Sequence, residues 1–284
     1  MIAIEVHQLP ITPLVVTSEV TMDTRVRAIL LAIAAVQVGF AVGFVFQVEP
    51  MVAVWPFAGM TPLSNIFLGS IFAAAAAATG WCVWARSNRG LAGIALDYLT
   101  ILAPAAMISL AGAAGGGGSG VAAFGVACVA GTLFGVWLLR RSLAHSWQDP
   151  RPTPWPVRWA FAFFIVALLI AGGALAVQVA GIMPWAITPE LSTLFGLMFL
   201  GAAAYFAYGL VEPRWENTGG QLAGFLAYDV VLIVPFAQRL PTIDDSLRIN
   251  LIIYTAVVVV SGLLAAWYLV LDRRPRIDST ASAA

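Results

Sequence analysis

The sequence predicts an all-α polytopic membrane protein: eight transmembrane helices built as two parallel four-helix repeats. Three observations lead there. The 284 residues are 61% hydrophobic and 10% charged, with mean hydropathy +0.92, whereas a soluble domain is nearer half apolar and a quarter charged. Eight runs approach the roughly 20 apolar residues that a bilayer crossing needs. An unusual phrase also occurs twice, as "WPFAGMTPLSNIFLG" from Trp55 and as "MPWAITPELSTLFG" from Met183.

The runs are 26–46, 63–85, 91–113, 120–139, 158–180, 191–211, 220–237 and 248–271. Residues 1–24 read as a cytoplasmic tail. The first 21 have no basic start and only a short apolar stretch, so they do not resemble a signal peptide, and the true start is expected at Met1 or at Met22, which opens "MDTRVRAILL". The first four-span repeat covers 25–140, a cytoplasmic linker 141–157, the second repeat 158–272, and a tail ending in "STASAA" 273–284.

Orientation follows from arginine, because short cytoplasmic loops retain basic residues. The chain has no lysine, a coding bias of the kind a GC-rich bacterium shows, and 12 of its 14 basic residues flank one set of span ends. They are Arg25, Arg27, Arg86, Arg89, Arg140, Arg141, Arg151, Arg158, Arg214, Arg273, Arg274 and Arg276; Arg239 and Arg248 lie opposite, beside Asp244 and Asp245. Both termini are therefore expected in the cytoplasm, with the chain a multi-pass protein of a bacterial cell membrane. With 14 acidic residues against 14 basic, nothing in the net charge points to nucleic acid.

The repeat appears on alignment. "VRAILLAI" from Val26 meets "VRWAFAFFI" from Val157 at an offset of 131, as do Gln47 and Gln178. The offset drops to 128 at Pro56 and Pro184, then returns to 131 where "LAGIALDYLTILAP" (Leu91 on) meets "LAGFLAYDVVLIVP" (Leu222 on). Self-similarity at a fixed period marks a duplicated unit. Four spans per unit is an even number, so the two units enter the bilayer from the same side and are parallel.

The doubled phrase then lies outside, between the first and second span of each unit. Trp55 and Trp185 suit the headgroup layer. Pro62 and Pro189 fit the first turn of the next span, and Thr61 and Thr188 precede them as N-caps. The phrase reads as a corner where the chain turns back into the bilayer, with an external ligand mouth as the alternative. Trp55-Pro56, Thr61-Pro62-Leu63 and Gly69, and more loosely Pro184-Trp185, Thr188-Pro189 and Leu191, resemble a repeated WP…TPL motif of uncharacterised, actinobacterial-type multi-span membrane proteins. The resemblance implies no activity.

Asp97 and Asp229 are the only ionisable groups well inside the spans. A carboxylate in hydrocarbon costs roughly 3 kcal/mol or more. Each is placed six to nine residues into its span, roughly 10 Å deep. Each adjoins a tyrosine, but in opposite order, Asp97-Tyr98 and Tyr228-Asp229, so the carboxylates differ by one position, about 100° of helix rotation. Pro104 and Pro235 follow and are expected to kink both helices. This candidate polar site has two explanations: a proton-carrying site, or structural pairing of Asp97 with Arg27 and of Asp229 with Arg158, arginines that could reach in from the span starts.

Other features are read as packing. Gly39 and Gly43, Gly131 and Gly135, Gly220 and Gly224, and the run Ala73 to Ala78 have the spacing of close helix contacts, and Gln37, Asn65 and Asn250 suit interhelical hydrogen bonds. "GGGGSG" from Gly115 reads as a flexible outer hairpin. Cys82 and Cys128 read as small buried hydrophobes. His7 and His145 lie outside the spans, and "HSWQDPRPTPWP" reads as a surface linker. No metal or cofactor site and no catalytic set can be assembled, so no enzyme is expected. Two readings stand foremost: a proton-coupled carrier or channel for a small solute, and a non-catalytic accessory or assembly subunit of a membrane complex, with other membrane subunits or a homo-oligomer as partners. A polar cavity reaching Asp97 and Asp229 would favour the first, and a solid core with an exposed apolar face the second.

Overall fold

The computed structural model describes residues 22–149 and 151–272. Eight of its helices are long and apolar enough to cross a membrane, and the chain is an integral membrane protein of all-α fold. The helices are α1 (Thr24–Val45), α2 (Glu49–Val52), α3 (Pro62–Trp84), α4 (Leu91–Ala114), α5 (Gly118–Leu143), α6 (Trp155–Ala176), α7 (Pro189–Val211), α8 (Trp215–Arg239) and α9 (Asp245–Ala266), the last extended by a π-helical turn, Trp267–Leu271. The short helix α2 has no counterpart in the expected spans. Of the expected tails, residues 1–21 and 273–284, with His7, Arg273, Arg274 and Arg276, lie outside the described residues.

Local chemistry sets the ends. The Thr61 side chain accepts from the Ser64 N–H at 3.1 Å and Thr188 from the Leu191 N–H at 3.4 Å, so both capping threonines start their helices as predicted. Gln47 and Gln178 adopt left-handed backbones, with φ of 51° and 63°. The following amides close the turn, Val48 N–H to Gly43 C=O at 2.8 Å and Val179 N–H to Ala174 C=O at 2.9 Å. This is the Schellman ending of a helix, built the same way 131 residues apart. The glycine run differs from expectation: it does not form a hairpin throughout, because Gly118 and Gly120 already belong to α5.

The packing pairs are α1 with α3 and α4 with α5, then α6 with α7 and α8 with α9. Two crossings join the halves, α3 with α8 and α7 with α4. Glycines set the close ones. A Cβ on Gly69 would stand 3.0 Å from the Ala41 carbonyl oxygen, and one on Gly196 only 2.5 Å from the Ala176 nitrogen. Gly131 and Gly135 meet Leu102 and Leu99 of α4, and Gly224 meets the Ala74 carbonyl of α3. Gly39 has nothing within 4 Å, so the expected contact there is absent. Cys82 and Cys128 are buried, and Gln37 donates to the Tyr98 hydroxyl at 2.6 Å.

At the arginine-rich end the linker is not a loose surface segment. Buried Glu216, in the first turn of α8, accepts from the Ser87 hydroxyl (2.7 Å) and from the backbone amides of Gln148 (2.8 Å) and Asp149 (2.9 Å). Trp147 donates to Glu212 at 3.0 Å and lies beneath the guanidinium groups of Arg89 and Arg214. Asp149 is held by Arg151 through several hydrogen bonds. Partial burial pushes the Asp149 carboxyl up, but its bonds and charge contact with Arg151 outweigh this and leave it below the usual carboxylate range. His145 faces the Arg141 carbonyl at 2.8 Å.

At the opposite end Trp185 is 7% exposed, packed against Phe67 and Phe236, and it donates to the Ser64 hydroxyl of α3 at 3.0 Å. Its N–H is thus satisfied inside the protein. Trp55 is half-buried among Phe44, Phe57 and Phe124.

Candidate functional site

Six helices each turn one stripe toward a common cavity of about 300 Å³. On α3 the stripe is Ile71, Ala74, Ala75 and Ala78, and on α4 it is Ile94, Asp97 and Ile101. On α8 it is Gln221, Gly224, Phe225, Tyr228 and Asp229, and on α9 it runs from Asn250 through Tyr254 to Ser261. Spacings of three and four are those of a single helix face. The α9 stripe spans about 16 Å of helix. Side chains of α6 and α7 complete the wall, while Ile182 and Met183, from the segment just before Trp185, close the end remote from the arginines.

The structure brings Asp97 and Asp229 to this one cavity, and it does not pair them with Arg27 or Arg158. Arg27 is exposed on the outer face of α1. Arg158 turns onto the Trp155 ring, 4.8 Å from its centroid. Among the described residues, the ion pairs are all formed by other carboxylates. Arg158 thus stays with its own helix end, stacked on a ring one turn away.

Asp229 is 3% exposed, and neither of its oxygens has a hydrogen-bond partner. Ser261 lies beside it, but that hydroxyl donates to the Val257 carbonyl at 2.7 Å. Each aspartate fits against a glycine of a neighbouring helix. A Cβ on Gly201 would stand 2.5 Å from Asp97 Oδ1, and one on Gly262 would stand 3.2 Å from Asp229 Cβ. The depths differ from expectation. Asp97 is about 9 Å along α4, but α8 begins at Trp215, so Asp229 is about 21 Å along its helix and near its middle. Pro104 and Pro235 lie inside these two helices, and each removes one backbone hydrogen bond.

The two tyrosines have separate roles. Tyr98 is engaged by Gln37 of α1. Tyr228 lines the cavity and shares a short hydroxyl contact with Tyr254 of α9. Further cavity residues were not evident from sequence. Gln221 donates to the Tyr205 carbonyl while its Oε1 has no partner, and the Tyr205 hydroxyl also has none. Phe206 stacks on Phe225 at 4.3 Å, and Phe164 tilts over Phe225 at 4.7 Å. Only the helical spacing of these residues hinted at a shared face, and that signal is the same for any packed helix.

Together the fold and the cavity define a multi-span helical membrane protein with an acidic, aromatic, largely apolar chamber. No protein-family model, curated protein or solved structure matches the chain.

Proposed function

We propose that the protein is a proton-coupled carrier of a small solute, built from two parallel four-helix repeats, with both termini in the cytoplasm of a bacterial cell. The observation that supports this most is the cavity between the halves, reached by two carboxylates that no arginine neutralises. An unpaired charge in a low-dielectric site is costly, and either a proton or a cationic solute removes that cost. One group that alternates between the two couples their movements. The titratable groups facing the cavity are Asp97, Asp229 and the phenols of Tyr205, Tyr228 and Tyr254; no arginine or histidine lines it. The repeat is supported by the matching Schellman endings and by the equivalent crossings at Gly69 and Gly196. An accessory subunit has no need of a hollow centre with unpaired acids, and the same geometry offers no nucleophile–base pair for an enzyme.

The test needs no substrate. Spin labels at Val54 and Val179, exposed at the end remote from the arginines, report the separation of the halves by pulsed electron resonance. A carrier gives two distance populations whose ratio shifts in Asp229→Asn, which mimics the protonated acid. One distribution, unchanged by the substitution, overturns the carrier reading.

A further inference from the structure

The chemistry of the wall narrows the solute. Beside Asp97, the atoms in the cavity that lack a partner are the two oxygens of Asp229, Oε1 of Gln221 and the hydroxyl of Tyr205. Carboxylate and amide oxygens only accept hydrogen bonds, and a phenol can accept as well as donate. What Asp229 lacks is therefore a donor, and its carboxylate calls for one with positive charge; Gln221 lies about 12 Å along α8 from it, within the length of an extended ligand. Phe164, Phe206, Phe225 and Tyr228 line the same cavity, and aromatic rings attract cations through their quadrupoles. The rest of the wall is aliphatic, so the remainder of the ligand is apolar. The volume, about 300 Å³, lies at the small end of ligand pockets.

Access points the same way. Ile253 lines the cavity yet is 56% exposed on the outer surface of α9, and α6 and α9 are not a closely packed pair. With both helices read as membrane spans, an opening between them would lead to lipid. The end remote from the arginines is closed by Ile182 and Met183.

Resting on the carrier reading for its physiological meaning, we infer that the cavity binds a lipophilic primary or secondary ammonium ion, with its charged nitrogen at Asp229 and its apolar part among the phenylalanines, entering from the bilayer between α6 and α9. In the first half, position 98, which is 131 before Asp229, carries a tyrosine bonded to Gln37 in place of the aspartate.

The probe is 4-phenylbutylammonium, titrated into the full chain in lipid nanodiscs, with empty nanodiscs subtracted. Pentylbenzene is the neutral analogue, 5-phenylpentanoate the anionic one, and the N,N,N-trimethyl derivative keeps the charge but has no N–H. The ammonium should bind at least tenfold more tightly than any of the three. Asp229→Asn should weaken it tenfold or more, and Ala167→Phe, which fills the chamber without touching a charge, should abolish binding. Equal binding of ammonium and neutral compound overturns the inference, as does sodium displacing the probe at Asp229, or full affinity in a folded Asp229→Asn. If that variant does not fold, the analogue comparison on the unmutated protein still decides. Binding without any shift in the spin-label populations would leave the ligand class standing and remove the carrier.

Discussion

Glu216 and Asp229 are buried carboxylates of the same helix, and only one of them is satisfied. Glu216 accepts three hydrogen bonds, from Ser87, Gln148 and Asp149, while the oxygens of Asp229 accept none. The first ties the linker and the α3–α4 turn to the start of α8. The second faces a cavity.

Their amide variants should therefore behave oppositely. Glu216→Gln replaces one accepting oxygen by a donor that faces other donors, and should destabilise the protein by about 1–3 kcal/mol. Asp229→Asn should leave the thermal midpoint no lower than that of the unmutated protein, because no bond is lost. Thermal unfolding in detergent checks both, and a large loss in Asp229→Asn would make that aspartate a structural residue.

Gly196 and Gly173 make a second contrast. An alanine at Gly196 drives its Cβ to 2.5 Å from the Ala176 backbone nitrogen, whereas Gly173 has nothing within 4 Å. Gly196→Ala should cost about 1–3 kcal/mol as overpacking against a backbone that cannot yield. Gly173→Ala should be neutral or stabilise by about 0.5–1 kcal/mol through helix propensity.

The linker supplies a pH dependence. The Asp149 carboxyl is held below its ordinary value, so its contribution is present above the unfolded value, about 3.9, and is lost as pH falls through the folded one. Asp149→Asn should remove that part of the acid-side decline in melting temperature and leave the neutral range little changed. An acid limb identical in variant and unmutated protein would contradict the assignment.

Sidedness can be read by single cysteines, since native Cys82 and Cys128 are buried. Ser119→Cys should react with an impermeant maleimide added outside intact cells. Ala144→Cys, also exposed but at the arginine-rich end, should react only after permeabilisation. The reverse pattern would invert the topology.

The spans were legible because apolar run length is a strong local signal, and the threonine caps because hydroxyl, proline and apolar run fall in fixed order. Asp97 and Asp229, which line the cavity, were visible too, since charge inside an apolar run stands out. Their surroundings were not. The Glu216 contacts join residues 65 or more positions apart, which no local pattern encodes. Arg27 and Arg158 were assigned by reach alone, and reach does not tell which way a side chain turns. Residue type does not reveal the partner of Trp185 either, since Ser64, which takes its N–H, lies 121 positions earlier.

The two crossings that join the halves are keyed in the same way. Between α3 and α8, Ala74 and Gly224 bring backbone against backbone, and the Trp81 ring is seated on Gly219. Between α4 and α7, Tyr205 lies over Gly93 and Asp97 fits into the notch at Gly201. Any displacement of one half against the other must therefore lift a ring out of a glycine seat at both crossings at once, so the halves move in discrete steps or not at all.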